Sequence, residues 1–293
     1  MEYRTQAAHA LPLKAFGLAV TLLMIPFTAT AETTLERVTA SDIIRVAVAN
    51  EQPYGYIDSD GNLTGEAPTV AREILRRIDP DIRMQGKAMD WSRLIPSVQE
   101  GEVDVIAAGM FITPARCREV AFTDPTYVVG ESFLVDSGNP EDITDYHSIS
   151  NNPDAKVALV AGTVEYNYAM HAGIPADRAI LYRDFTRAVD ALEADAVDAV
   201  GLTSLTARSL ARRVGDGRFE ATPQFYPVIH GEEQKGYGAF AFRKGDEAIV
   251  EAFNREIDEF VGTEEHWAMV EEFGFAPDMD PDMTAEELCK NDA

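Results

Sequence analysis

Arg116 and Glu51, each set near aromatic residues, are the side chains best placed to grip a small charged molecule. Arg116 follows Thr113-Pro114-Ala115, which reads as a helix start. Pro is tolerated at a first helical position because its missing N–H would be unpaired there anyway. A guanidinium in a first turn opposes the helix dipole unless an anion lies beside it, so this position suits a carboxylate. The alternative is an ordinary surface arginine. Glu51 and Tyr54 follow the first apolar strand, Trp91 starts a helix, and Phe111 stands at the end of the apolar run before Thr113. Three rings and a carboxylate at one sheet edge can cage a cation, each desolvated ring face adding about 0.5–2 kcal/mol. Arg116 would then hold the other end of the molecule. Core packing is the alternative for each ring taken singly.

Other chemistry is not encoded. The chain has no HExxH, G-x-S-x-G, P-loop or paired CxxC, and Gly236-Tyr237-Gly238 lacks the third glycine and the helix of a dinucleotide fingerprint. His147, His171, His230 and His266 are scattered without metal-ligand spacing and read as solvated histidines. No metal or cofactor is expected. Asp58-Ser59-Asp60-Gly61-Asn62 has its Gly too early for a calcium loop, and reads as a hairpin turn.

The elements that must position these residues are those of an α/β fold. Residues 43–48 read as a strand, Pro68 as the start of a helix with Val70, Ile74 and Ile78 inward, and 91–99 as a short helix. A strand from Val103 ends at Gly109, where the backbone can come close to whatever lies beyond. An extended run covers 128–135, and polar residues 136–140 look like a domain crossing. The strand at 156–160 ends in Ala161-Gly162-Thr163-Val164-Glu165, and the strand at 197–202 ends in Thr203 before a helix. Strands that end at Gly109, Gly162 and Leu202 in helix starts put N–H groups at one edge, where open α/β sheets bind ligands. Residues 231–236 cross back, 237–242 form a strand, Asp246 and Thr263 cap helices, and Thr284 to Glu287 form a capping box just before Cys289.

The chain has 293 residues, with Lys+Arg 25 against Asp+Glu 50. Arg4 and Lys14 precede an apolar run over 15–28 that ends in Ala29-Thr30-Ala31, the pattern of a cleavable signal peptide spanning 1–31. No cysteine lies near the cleavage site to carry a lipid, so a free periplasmic protein is expected. Its acidic charge makes nucleic acid an improbable partner and suits a salty medium. The two cysteines, Cys117 and Cys289, are expected to form a disulfide, since an exported chain has no other thiol to pair.

Pro53-Tyr54-Gly55-Tyr56, Gly61-Asn62-Leu63-Thr64-Gly65, Thr113-Pro114-Ala115-Arg116 and Phe122-Thr123-Asp124-Pro125 resemble the polar-amino-acid-binding family of ABC importers. Asn50-Glu51, Gly109-Met110-Phe111-Ile112-Thr113, Ala161 to Glu165 and Leu202 to Thr206 look like its ectoine and hydroxyectoine binders. The resemblance implies a type II periplasmic binding fold of two lobes, 32–134 plus 237–293 and 135–236, with a ligand cleft between them. It implies a monomer without catalytic residues that delivers its solute to a membrane permease. Arg116 with N–H groups near Gly162, Thr163 and Val164 would hold the ligand carboxylate, and Glu51 the ring amidinium. Tyr54, Trp91 and Phe111 would enclose the ring beside Gly109 and Thr113, with Glu165 a polar contact from the second lobe. Trp91 stands where a smaller aromatic is expected. Amino-acid binders of the wider family carry an Asp for the α-ammonium where this chain has Thr203, which argues against a primary ammonium ligand. A betaine, proline or polar amino acid is the rival solute, and a cyclohexadienyl dehydratase with Glu165 as general acid the rival enzyme.

Overall fold

Ile43–Val48 forms a strand because its alternating, β-branched side chains suit a sheet covered on both faces. It pairs in parallel with Arg83–Ala88 on one side and Val105–Phe111 on the other. Val105–Phe111 runs antiparallel to Gly236–Arg243, which also takes Val120–Phe122 and Tyr127–Val129, making a sheet of six strands. A second sheet of five strands runs Ala179–Tyr182, Val157–Val160, Ala199–Thr203, Glu131–Asp136, Phe219–Ala221. Both pairings of Glu131–Asp136 are antiparallel. The computed structural model describes residues 1–2, 33–214 and 217–290, so almost all of the expected signal peptide lies outside the described residues.

Several elements differ from the sequence reading, each for a local reason. Glu66–Ile78 begins two residues ahead of Pro68, which the first turn accepts because its N–H groups have no helical partner. The strand expected to end at Gly109 continues to Phe111, because Gly236–Arg243 supplies a pairing partner and the ladder slips between Ala239 and Ala241. The helix Pro114–Cys117 is a single turn, too short for a developed dipole to oppose Arg116. Asp246 precedes Glu247–Phe260 without capping it, since its carboxylate accepts from Thr34 Oγ1 and Arg243 Nη2 instead. His266 is buried and accepts a hydrogen bond from the Gly262 N–H at Nδ1, and burial pulls its pKa down to about 4.

The change of sheet matters most for the site. Tyr127–Val129 belongs to the first sheet and Glu131–Asp136 to the second, so the chain passes between them at Gly130, ahead of the expected boundary at 134/135. Gly130 has room for no side chain: a Cβ there would lie 2.7 Å from Gln224 Cγ and from the Phe225 carbonyl oxygen.

Candidate functional site

The parallel strands of the first sheet end at Glu51, the loop before Trp91, and Phe111, which brings one carboxylate and two rings to one edge. Glu51 is 5% exposed; Trp91 Nε1 donates to its Oε2 at 3.0 Å. Tyr54 packs against Tyr127 and Phe275, with ring centroids 5.4 and 5.6 Å away. Gly109 makes room for that packing. At φ +70°, it tolerates a conformation that strains L residues, and a Cβ would lie 2.5 Å from the Tyr127 hydroxyl and 2.6 Å from the Tyr54 ring. Gly236 does the same for Phe111: a Cβ there would sit 2.2 Å from the Phe111 ring, which explains a glycine that signalled no dinucleotide site.

The second lobe faces this edge with the ends of two of its strands. Thr203 ends Ala199–Thr203 and caps the helix Ser204–Arg213, its Oγ1 accepting from the Thr206 N–H at 3.3 Å. The same oxygen accepts from the Tyr54 hydroxyl at 2.9 Å and donates to Thr206 Oγ1 at 3.1 Å. A hydroxyl has one donor and two acceptor positions, so Thr203 has no capacity left for a ligand. Thr206 Oγ1 in turn donates to Glu51 Oε1 at 2.6 Å. Gly162, at φ +94°, approaches so closely that a Cβ would lie 2.9 Å from the Ser92 backbone of the first lobe. Arg183 with Asp90 at 2.7 Å, and Arg213 with Gln52 at 2.8 Å, complete a closed arrangement of the lobes.

Arg116 is 9% exposed, and among the described residues its guanidinium hydrogen-bonds to carbonyl oxygens and not to a carboxylate. Its Nη1 donates to the Phe111 carbonyl at 2.9 Å and its Nη2 to the Gly162 carbonyl at 3.0 Å, while the guanidinium lies 5.5 Å from the Trp91 ring centre. Its charge interacts with the buried Glu165 and Glu51, but its hydrogen bonds go to neutral carbonyl oxygens, which leaves guanidinium N–H donors uncommitted. Burial pushes Glu51 up to about 8, against the Thr206 and Trp91 hydrogen bonds and the charge of Arg116. Burial also raises Glu165, whose Oε2 has no hydrogen-bond partner among the described residues. The Thr163 hydroxyl, the Glu165 N–H, the charge of Arg116 and the Val164 N–H hold the Glu165 pKa down, so the Val164 N–H, expected to receive a ligand carboxylate, faces the Glu165 carboxyl instead.

Ten of the residues singled out in the sequence line one cavity between the lobes. Glu51, Tyr54, Trp91, Gly109, Phe111 and Arg116 form its first-lobe wall, and Thr163, Val164, Glu165 and Thr203 its second. Its volume is only about 20 Å³, so the two walls stand close together in this arrangement. Thr113 and Gly162 line the neighbouring groove instead and act on Arg116: Thr113 Oγ1 accepts from its backbone N–H at 3.2 Å. Two residues were missed. Thr206 reads in sequence as an ordinary first-turn residue, although its spacing of three from a capping threonine puts both hydroxyls on one side. Glu131, paired across the ladder with Thr203, is 1% exposed with an unpartnered Oε2, and its only signal was a charge inside an apolar run. Cys117 and Cys289 form a disulfide, with Cα atoms 5.7 Å apart, and it ties the helix Ala285–Lys290 to the turn bearing Arg116. Cys289 lies within that helix, not after it.

Residues 44–275 match the family of bacterial extracellular solute-binding proteins, family 3. The chain belongs to that family. This solute-binding protein is 34% identical over 263 residues to the probable amino-acid ABC transporter periplasmic-binding protein y4tE of Sinorhizobium fredii, covering 88% of this chain and 86% of that one. The histidine-binding periplasmic protein of Escherichia coli is 27% identical over 212 residues, 71% of this chain and 77% of its own. Among solved structures, EhuB in complex with hydroxyectoine aligns with a TM-score of 0.79 at 32% identity, covering 88% of this chain and 98% of that one. The solute-binding protein therefore has the two-lobed type II fold of ABC-importer receptors for polar, amino-acid-like solutes.

Proposed function

We propose that this protein binds ectoine or 5-hydroxyectoine in the periplasm and presents it to the permease of an ABC importer. The observation that carries this reading is the fully engaged hydroxyl of Thr203, which leaves nothing at that position to pair with an α-ammonium. A primary ammonium needs three hydrogen-bond acceptors, whereas a delocalised ring cation is cheaper to desolvate and suits aromatic faces. Glu51 takes the ring cation between Tyr54, Trp91 and Phe111. Arg116 takes the carboxylate with the donors that Phe111 and Gly162 leave free. The similarity to a protein crystallised with hydroxyectoine supports the same ligand class. The lobes, 33–129 with 236–290 and 131–235, open and close about Gly130 and the return crossing.

A basic amino acid is the second reading, favoured by the unpartnered Glu165 Oε2 at the cavity wall. Calorimetric titration at pH 8 with ectoine, 5-hydroxyectoine, arginine, histidine, proline and glycine betaine separates the two. Micromolar or tighter binding of the first two alone is expected. Tighter binding of arginine or histidine would replace the ectoine reading with the second.

A further inference from the structure

Glu51 and Tyr54 stand three residues apart on the first lobe, and Thr203 and Thr206 stand three apart on the second. Hydrogen bonds join these pairs into one directional chain: the Tyr54 hydroxyl donates to Thr203 Oγ1, Thr203 to Thr206 Oγ1, and Thr206 to Glu51 Oε1 at 2.6 Å. The chain leaves the first lobe at Tyr54 and returns to it at Glu51. All four side chains are buried, and Trp91 holds the other oxygen of Glu51 from its own lobe. Glu51 therefore receives one donor from its own lobe and one from across the cleft.

We propose that Thr206 is a positioning residue that orients Glu51 on lobe closure, so that the site's contact with a ligand cation is completed only in the closed state. The inference rests on Glu51 as the cation partner. A donor aimed at one carboxylate oxygen favours the ionised form, and fixing both oxygens leaves their outward lone pairs for the ligand. Thr206 supplies the largest of the influences that lower the Glu51 pKa. The other groups acting on this titration are fixed by the cavity. Glu165 opposes ionisation of Glu51, Arg116 favours it, and Glu131, Tyr54 and Tyr127 interact electrostatically with it. Closure thus does more than trap the solute. It fixes the Glu51 carboxyl group at the moment the cation is enclosed, and the Thr206 donor offsets part of the burial that opposes its ionisation.

The test compares Thr206→Val, which keeps the shape and removes the donor, with Thr206→Ser, which keeps the donor. Dissociation constants for ectoine and for arginine are measured from pH 6 to pH 9, with melting temperature as the control for folding. A lost hydrogen bond to a charged group predicts at least about tenfold weaker binding in Thr206→Val. Because the donor favours ionised Glu51, its loss also moves the acid limb of the binding profile to higher pH, and Thr206→Ser restores both. Unchanged binding in Thr206→Val overturns the proposal. Equal weakening at every pH without rescue by serine also overturns it, since packing alone would do that. If the wild type binds arginine and not ectoine, the ligand assignment fails, and the same three readings made with arginine decide the role of Thr206.

Discussion

Arg116→Met should abolish useful binding while leaving the fold nearly as stable as the wild type. The wild-type guanidinium is 9% exposed and bonded only to the Phe111 and Gly162 carbonyls, so in the ligand-free protein it is a buried charge without an ion-pair partner among the described residues. Methionine fills much of the same space. Its substitution leaves two carbonyls short of a donor, at about 1–3 kcal/mol each, and removes a desolvated charge whose cost is several kcal/mol. These terms oppose each other, and the melting temperature should move by only a few degrees. Binding has no such compensation. Truncating one member of a buried charge pair costs about 2–5 kcal/mol, or roughly 30-fold to several thousand-fold in Kd. Calorimetric titration with ectoine at pH 8 reads the affinity, and scanning calorimetry of the ligand-free variant reads the stability. A Kd within threefold of wild type would refute the carboxylate site at Arg116, and a collapse of the melting temperature would refute the opposing balance.

Ligand binding at pH 7 should release about one proton, because Glu51 near pKa 8 is mostly protonated until a cation arrives. The acid form cannot pair with that cation, so Kd should rise about tenfold for each pH unit below 8, and calorimetry in buffers of different ionisation enthalpy that finds no proton exchange would contradict it. Glu66 is buried with Thr126 as its donor, and burial raises it to about 8. Its folded pKa lies above its unfolded one, so the folded state binds the extra proton and stability falls as pH rises from about 4.5 to 8. Glu66→Gln should therefore gain on wild type by up to about 1.4 kcal/mol per pH unit across that window, and denaturation curves that stay parallel between pH 5 and pH 8 would reject this. Gly162→Ala should weaken binding at least tenfold because its Cβ would meet the Ser92 backbone at 2.9 Å when the lobes close, and wild-type affinity in that variant would show that closure does not need the contact.

The residues that carry charge or rings at the sheet edges were legible because each follows an apolar strand that has to stop. Glu51 after Ile43–Val48, Phe111 at the end of Val105–Phe111 and Glu165 after Val157–Val160 all reach the same cavity. What sequence reasoning lost was pairing. Residues 128–135 read as one extended run, since Gly130 alone does not reveal that the strands before and after it belong to different sheets. Phe111 read as a loop residue because its strand partner, Gly236–Arg243, is more than a hundred residues away. Thr203 was singled out for what it lacks, a carboxylate, but its engagement by Tyr54 and Thr206 depends on two lobes meeting and leaves no local trace. Glu131 stayed hidden for the same reason, as its place beside Thr203 comes from an antiparallel register.

Competition tests the central claim most directly. Labelled ectoine bound to the purified protein at pH 8 is challenged with a hundredfold excess of glutamate, arginine, histidine, proline or glycine betaine. Unlabelled ectoine or 5-hydroxyectoine should displace the label, and the five challengers should leave it in place. Ready displacement by an α-amino acid would contradict the reading of Thr203 and, with it, the assignment of a ring cation to this cavity.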